Sequence, residues 1–194
     1  MRKDGSDDDS GDFRGRKRSN ETHESKTDPE SRLMRKGNGR EAKLCYAAHA
    51  LMENRNGLLV DLVVSEANGT CERETALSML EQHAAAGATV GSDRGYDTRD
   101  FVARCRDAEV TPHVAQFENE RRGSAIDGRT TRHAGYTISL RTRMRIEQIF
   151  GWVKTIGGLR RTRFKGRSRT QLAAYMVGAA YNLLRIAKLQ GCAA

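Results

Sequence analysis

The sequence is poor in the features of membrane, secreted and zinc-binding proteins. Among its 194 residues, no apolar run approaches the roughly 20 that a membrane-spanning helix needs. The first residues lead into acids instead of the apolar stretch of a secretory signal. The four cysteines are scattered without a Cys-x-x-Cys pair, which argues against a zinc site and a disulfide framework. These absences predict a cytoplasmic protein with no membrane partner.

The positive charge is concentrated in one segment. Lys and Arg number 34 and Asp and Glu number 25, which gives a net charge of +9. Residues 139–170 contain ten basic side chains and one acid, Glu147, so the remaining chain is neutral. The ten are Arg141, Arg143, Arg145, Lys154, Arg160, Arg161, Arg163, Lys165, Arg167 and Arg169. Such a cluster is typical of proteins that bind the phosphate backbone of nucleic acids. The alternative is a solvated helix followed by a basic loop.

Residues 1–40 and 41–190 differ in composition. The first segment is polar, has mixed charge and shows neither helical nor strand periodicity, which predicts a disordered segment. In the second segment, the apolar runs 43–52 and 58–64 flank the turn signal Asn-Arg-Asn-Gly. This pattern predicts an antiparallel hairpin at the start of the domain, in which His49 is a sheet residue and not a metal ligand.

After the hairpin, helical and strand patterns alternate, which predicts an α/β fold. The predicted elements are a helix from Thr70 or Cys71 to about Ala86, a strand at 88–93, a helix with Asp97 as its N-cap and a strand at 110–115. Pro112 places the last of these strands at a sheet edge, because proline cannot donate to a neighbouring strand.

Two long helices end the domain, with Gly157-Gly158 and a basic loop between them. The first, 138–156, has an apolar stripe at helical spacing. Its members are Ile146, Ile149, Phe150 and Val153. The second, 170–189, is predicted to bury an apolar face of its own. That face consists of Leu172, Met176, Ala179, Ala180, Leu183 and Ala187.

Two acids are candidates for chemistry. Asp93 ends a short buried strand between glycines, where a metal ion or a phosphate can approach. Glu147 is the single acid of the basic helix and shares one face with Arg143 and Lys154. The alternatives are a turn-capping role for Asp93 and an i, i+4 ion pair with Arg143 for Glu147. Spacing alone does not separate these interpretations.

The segments around both acids resemble one family. Gly91-Ser92-Asp93-Arg94-Gly95-Tyr96-Asp97 resembles the second-carboxylate segment of DDE transposases from bacterial insertion sequences. That family also has a helix with the signature Tyr, two residues, Arg, three residues, Glu, six residues, Lys. Arg143, Glu147 and Lys154 match its spacing, and Leu140 stands at the Tyr position. The run 158–163 and the helix 173–183 resemble the group named after insertion sequence five.

The resemblance implies a ribonuclease-H-like α/β domain with a long C-terminal helix, and metal-assisted phosphoryl transfer on DNA. In this family, three carboxylates hold two Mg²⁺ (or Mn²⁺) ions. Asp93 and Glu147 would be catalytic and metal-binding residues. Five cations would contact the DNA, namely Arg143, Lys154, Arg160, Arg161 and Arg163. The implied partners are DNA and a second transposase copy in a homodimer, and the implied location is the bacterial nucleoid.

The family's first Asp, on the first strand of the domain, has no match before Glu41. We therefore expect residues 41–190 to be a partial domain, from a truncated or interrupted gene, that lacks this central strand. Such a product is expected to be inactive or very weak, and marginally folded, because both neighbouring strands lose backbone partners. Asp61 is expected to be structural and not a substitute ligand. The competing hypotheses are a non-catalytic DNA-binding regulator and an unrelated Mg²⁺ nuclease.

Overall fold

A computed structural model describes residues 19–35, 37, 41–117 and 123–191. The fold is mixed α/β and has the following strands and helices in chain order: β1 (Arg32–Met34), β2 (Lys43–Met52), β3 (Leu59–Glu66), α1 (Cys71–His83), β4 (Thr89–Ser92), α2 (Arg99–Asp107), β5 (Thr111–Val114), α3 (Gly128–Thr131), α4 (Ala134–Thr142), α5 (Ile146–Thr155) and α6 (Arg167–Leu189). None of the helices in these ranges has the length and apolar content to span a bilayer.

The predicted hairpin is confirmed. β2 and β3 pair antiparallel from Tyr46 opposite Glu66 to Met52 opposite Leu59. Gly57 in the connecting turn has a φ of 72°, a left-handed conformation that glycine adopts without steric cost. His49 is buried, and its Nε2 lies 2.8 Å from Ser65 Oγ, as expected for a sheet residue.

The helix–strand alternation after the hairpin is also confirmed. β4 and β5 form a separate two-stranded parallel sheet in which Gly91 lies opposite His113. α1 and α2 bury Leu77, Leu80, Phe101 and other apolar side chains in one core cluster with residues near β5. Within the described ranges, β4 has a strand partner on one edge only, and residues 46–52 of β2 pair only with β3.

The prediction that Asp97 is the N-cap of α2 is wrong. Thr98 is the cap, and its side chain accepts a hydrogen bond from the Phe101 N–H at 3.3 Å. Asp97 is only 2% exposed and accepts hydrogen bonds from the backbone N–H groups of Phe117 (2.7 Å) and Ala125 (2.8 Å). A buried carboxylate needs such donors, so Asp97 ties together the two chain segments that flank residues 118–122.

The helix predicted at 138–156 begins earlier and is interrupted. α4 begins at Ala134, where the His133 side chain accepts from the Gly135 N–H at 3.1 Å, and a 3₁₀ turn at Arg143–Arg145 separates α4 from α5. Ile149 and Val153 of the predicted stripe are buried in a second core cluster. The helix ends at Thr155, just before the glycine pair, close to the predicted end.

The buried face of α6 was predicted wrongly. Leu172, Met176 and Leu183 are 63%, 68% and 69% exposed, whereas Ala174 and Gly178 are buried. β3 is the last strand of its sheet, so its outer backbone groups need partners. The amide side chains of Gln171 and Asn182 supply them, because each both donates to and accepts from β3 backbone groups at 2.6–2.8 Å. These polar contacts turn the small residues of α6, and not its large apolar residues, towards the sheet.

Part of the segment predicted to be disordered has defined contacts. Within residues 19–35, β1 pairs antiparallel with Lys43–Cys45 of β2. The Asn20 side chain accepts from the Leu33 N–H at 2.7 Å and donates to the Leu33 carbonyl at 2.9 Å. Composition missed this order because these contacts use polar groups and little apolar area. Residues 1–18, 36 and 38–40 of the segment lie outside the described ranges.

Two buried histidines predict that the fold weakens in mild acid. Burial lowers the pKa of His49 and of His113 below the usual 6.5, and nearby His133 lowers that of His113 further. The unfolded chain therefore binds more protons than the folded chain once the pH drops below about 6.5. We expect the free energy of unfolding to decrease below that pH, by up to about 1.4 kcal/mol per pH unit for each histidine. Denaturant unfolding at about pH 7.5 and about pH 5 measures this decrease. Equal free energies of unfolding at the two pH values would contradict the prediction.

Candidate nucleic-acid interface and carboxylate site

Asp93 directly follows β4 and closes a turn. Its exposed carboxylate accepts a hydrogen bond from the Gly95 N–H at 2.8 Å and caps the 3₁₀ turn Arg94–Tyr96. The turn-capping role considered as the alternative is therefore present. The second carboxylate oxygen has no hydrogen-bond partner among the described residues. Capping through one oxygen fixes the side chain and leaves the other oxygen open to solvent.

The end of α4 packs directly on β4. A Cβ atom added to Gly91 would lie 3.1 Å from the Ser139 carbonyl oxygen and 3.3 Å from the Arg143 Cβ. Arg143 thus crosses β4 two residues before Asp93, although 50 residues separate the two in the sequence. Its Nε is buried and has no hydrogen-bond partner within the described ranges. This contact joins the Asp93 strand to the helix that carries the second candidate acid.

Glu147 lies in the first turn of α5, directly after the 3₁₀ turn that contains Arg143. It is exposed, and the ion pair with Arg143 considered as its alternative role is not among the contacts of the described residues. An acid in the first helical turn is favoured by the helix dipole. The Glu147 carboxylate is therefore free to bind an external cation or to accept a proton.

The described residues do not by themselves form a metal site. In the ranges that the structure describes, no group of three His, Cys, Asp or Glu side chains is placed to hold an ion. Asp61, the other acid that was considered, accepts from the Leu62 N–H at 2.7 Å and contacts His83 Nε2 at 3.0 Å. These contacts fit the structural role predicted for Asp61 and leave two candidate carboxylates.

The side chains of the cations that follow α5 form no ion pairs with described acids. Six cations, which we call the basic loop cations, are all exposed: Arg160, Arg161, Arg163 and Lys165 in the loop, and Arg167 and Arg169 in the first turn of α6. None of them forms an ion pair with a described residue, whereas Arg32, Lys43, Arg104, Arg106 and Arg129 each do. Lys154 is also exposed, and its Nζ lies 5.5 Å from the centroid of the Phe150 ring. Uncompensated positive charge at this density suits a polyanionic ligand.

A cavity that the sequence did not reveal lies beside the 3₁₀ turn. It has a volume of about 760 Å³ and lies between the hairpin turn and α4. Its lining comprises Glu53, Asn54, Arg55, Asn56, Ile138, Ser139, Thr142 and Arg145. Among these residues, Arg145 donates to the Asn54 carbonyl at 2.7 Å. The hairpin turn had been predicted only as a connection, because its residues are typical turn formers.

Comparison with known proteins identifies the family. No curated protein and no solved structure matches the chain. A family model described as the transposase DDE domain matches residues 7–183, and so begins within the polar N-terminal segment. Because this match spans most of the 194 residues, the chain belongs to the transposase DDE domain family.

Proposed function

We propose that this chain acts on DNA in the transposition of an insertion sequence of the group named after insertion sequence five. The observation that carries the proposal is the set of basic loop cations, which are exposed and form no ion pair with a described acid, next to the helix that bears Glu147. DNA neutralises such cations and gains affinity through counterion release. The protein would work in the bacterial nucleoid, as a homodimer or with another copy of the transposase.

We further propose that Asp93 and Glu147 are two of the carboxylates that bind Mg²⁺ or Mn²⁺ for phosphoryl transfer. The packing of Arg143 on Gly91, which draws the two segments together, supports this pairing. Because no three-donor cluster occurs among the described residues, the third carboxylate would come from outside them. When bound, the metal ions would polarise the phosphate and activate the attacking hydroxyl. Without that third carboxylate, we expect the reaction to be slow or absent.

The chain's own cations would orient the DNA. Arg143, with its Nε buried and unpartnered, would present the rest of its guanidinium to a phosphate near Asp93. Lys154, two turns after Glu147 on α5, would hold the strand as a point charge. Arg160, Arg161 and Arg163 would bind the phosphate backbone further along the duplex. Among the described residues, one edge of β4 and residues 46–52 of β2 along one edge have no strand partner, which supports a ribonuclease-H-like fold in which another strand lies between the two sheets.

Two carboxylate variants test the proposed chemistry. Where the parent chain nicks supercoiled DNA in Mg²⁺, we expect Asp93→Asn and Glu147→Gln each to lower the nicking rate by at least about 100-fold, because a metal ion contributes several kcal/mol to such a transition state. DNA affinity should stay within about twofold of the parent value, since phosphate contacts supply it. Asp100→Asn, an exposed acid in the first turn of α2, is the matched control and should change neither property. Nicking that survives both changes would contradict the roles of Asp93 and Glu147.

A non-catalytic DNA-binding regulator is the second candidate. The absence of a three-donor cluster in the described ranges and the engagement of Asp93 in a turn favour it. On this hypothesis the parent chain binds DNA with strong salt dependence, nicks nothing in Mg²⁺ or Mn²⁺, and lowers transposition by the full-length enzyme through competition for its DNA. Cutting only at the ends of the mobile element would instead separate a transposase from an unrelated nuclease.

A further inference from the structure

Two carboxylates of the N-terminal segment reach the start of α6. The Asp28 carboxylate accepts from the Tyr46 hydroxyl at 2.7 and 2.8 Å and from the Gly166 N–H at 3.2 Å. The Glu30 carboxylate accepts from the Arg167 N–H at 2.7 Å. These contacts connect residues 137 and 138 positions apart in the sequence. We call the four residues Asp28, Glu30, Gly166 and Arg167 the carboxylate clamp.

The clamp holds backbone groups and not guanidinium groups. Gly166 has a φ of 86°, and a Cβ there would lie 3.2 Å from Glu30 Oε2, so glycine permits the close approach of this carboxylate. Gly166, the N-cap residue of α6, has no side chain that could accept a hydrogen bond from the first turn of the helix. The two acids therefore accept hydrogen bonds from backbone N–H groups at the N-terminus of α6. The helix dipole also favours a negative charge at that end.

The clamp lies at the C-terminal end of the basic loop, which connects α5 to α6. Gly158, with a φ of 68°, and Gly166 bound the loop, and both are flexible positions in an unfolded chain. Inside it, the Thr162 hydroxyl accepts from the Phe164 N–H at 3.1 Å and contacts Thr170 Oγ1 at 3.3 Å. These contacts of a single hydroxyl group hold a loop with four cations between Arg160 and Lys165. Repulsion among those charges favours an extended loop, which the clamp opposes from one end.

We propose that Asp28 and Glu30 are positioning residues that fix the basic loop in its DNA-binding conformation. The inference rests on the proposed DNA-binding function. The acids act through the backbone, so the cationic side chains stay directed to solvent. The opposite hypothesis is autoinhibition, in which the same acids compete with phosphate for the basic loop cations. The two hypotheses differ in whether the oxygen acceptors or the negative charges of these acids matter.

Substitutions at Glu30 separate acceptor from charge. Glu30→Gln keeps an oxygen that can accept from the Arg167 N–H, whereas Glu30→Ala removes it, and both delete one negative charge. We expect Glu30→Ala to weaken DNA binding by about 3–10-fold, because the binding-competent loop is less populated, and Glu30→Gln to stay within about twofold of the parent. Glu21→Ala, an exposed acid of the same segment, controls for the change in net charge. Autoinhibition predicts tighter binding in both Glu30 variants, and that result would overturn the proposal.

A second measurement does not depend on DNA. Trypsin cleaves after arginine and lysine, so its rate of cutting within residues 160–165 reports how often the loop opens. We expect faster cutting in Glu30→Ala and in Asp28→Ala, but parental rates in Glu30→Gln and Glu21→Ala, at unchanged global stability by circular dichroism. If trypsin cut both alanine variants at the parental rate, the proposed positioning role of Asp28 and Glu30 would be wrong. Failure of the parent chain to bind DNA, with the clamp effect intact, would overturn the proposed function alone.

Discussion

Replacing Arg160, Arg161 and Arg163 together by Gln is expected to lower the affinity for DNA by roughly 500-fold at about 0.1 M salt, since each phosphate contact contributes about eightfold there through counterion release. The same variant should flatten the dependence of log K on log salt by about three, because roughly one counterion is released per contact. All three side chains are exposed and none is committed to a described carboxylate, so their full charge is available to phosphates. Fluorescence anisotropy with duplex DNA across a salt series measures both quantities.

The matched control removes the same charge from cations that already have partners. Lys43, Arg104 and Arg129 are exposed, and each forms an ion pair, with Glu41, Glu81 and Asp127 respectively. Changing these three to Gln gives the same net charge as the loop variant. We expect it to weaken DNA binding by less than about threefold and to leave the salt slope nearly unchanged, because only long-range attraction is lost. Equal losses in the two variants would mean that net charge, and not the loop, governs DNA binding.

Local patterns predicted much of the fold. The hairpin follows from two apolar runs around a turn signal, and α1, β4 and β5 follow from periodicity and from the placement of Gly and Pro. In the candidate site, the spacing of Arg143, Glu147 and Lys154 predicted a shared helical segment. The structure keeps Glu147 and Lys154 on α5 but places Arg143 in a 3₁₀ turn against Gly91.

Long-range polar contacts account for what the sequence did not predict. The sequence predicts Asp97 as a local cap, but its carboxylate oxygens accept hydrogen bonds from backbone N–H groups 20 and 28 residues away. The face of α6 was assigned from apolar spacing, whereas Gln171 and Asn182 orient the helix through hydrogen bonds to β3. The order within residues 19–35 likewise depends on Asp28 and Glu30, whose partners lie near residue 166. Hydrophobic periodicity carries no information about such pairs, because each depends on where a distant backbone group is placed.

The junction of α5 and α6 gives a second large expected effect, because opposite outcomes are predicted for two glycines six residues apart. At Gly157, a Cβ would lie 2.5 Å from Val177 Cγ1 and 2.8 Å from the Val153 carbonyl oxygen. Gly157→Ala therefore forces apart α5 and α6 where they meet, and we expect it to lower the free energy of unfolding by about 1–3 kcal/mol. Denaturant unfolding, with its midpoint and slope, measures the change.

Gly151 is the matched control on the same helix. It lies in the interior of α5, is exposed, and a Cβ there would meet no atom within 4 Å. Gly151→Ala should raise the free energy of unfolding by about 0.5–1 kcal/mol, since alanine loses less backbone entropy than glycine in a helix. Because α5 carries Glu147 and α6 begins at the clamp, a steric change at Gly157 should also weaken DNA binding, whereas Gly151→Ala should not. If both alanine variants were equally stable, the close packing of Val177 on Gly157 would be wrong, and with it the position of the basic loop relative to the Glu147 helix.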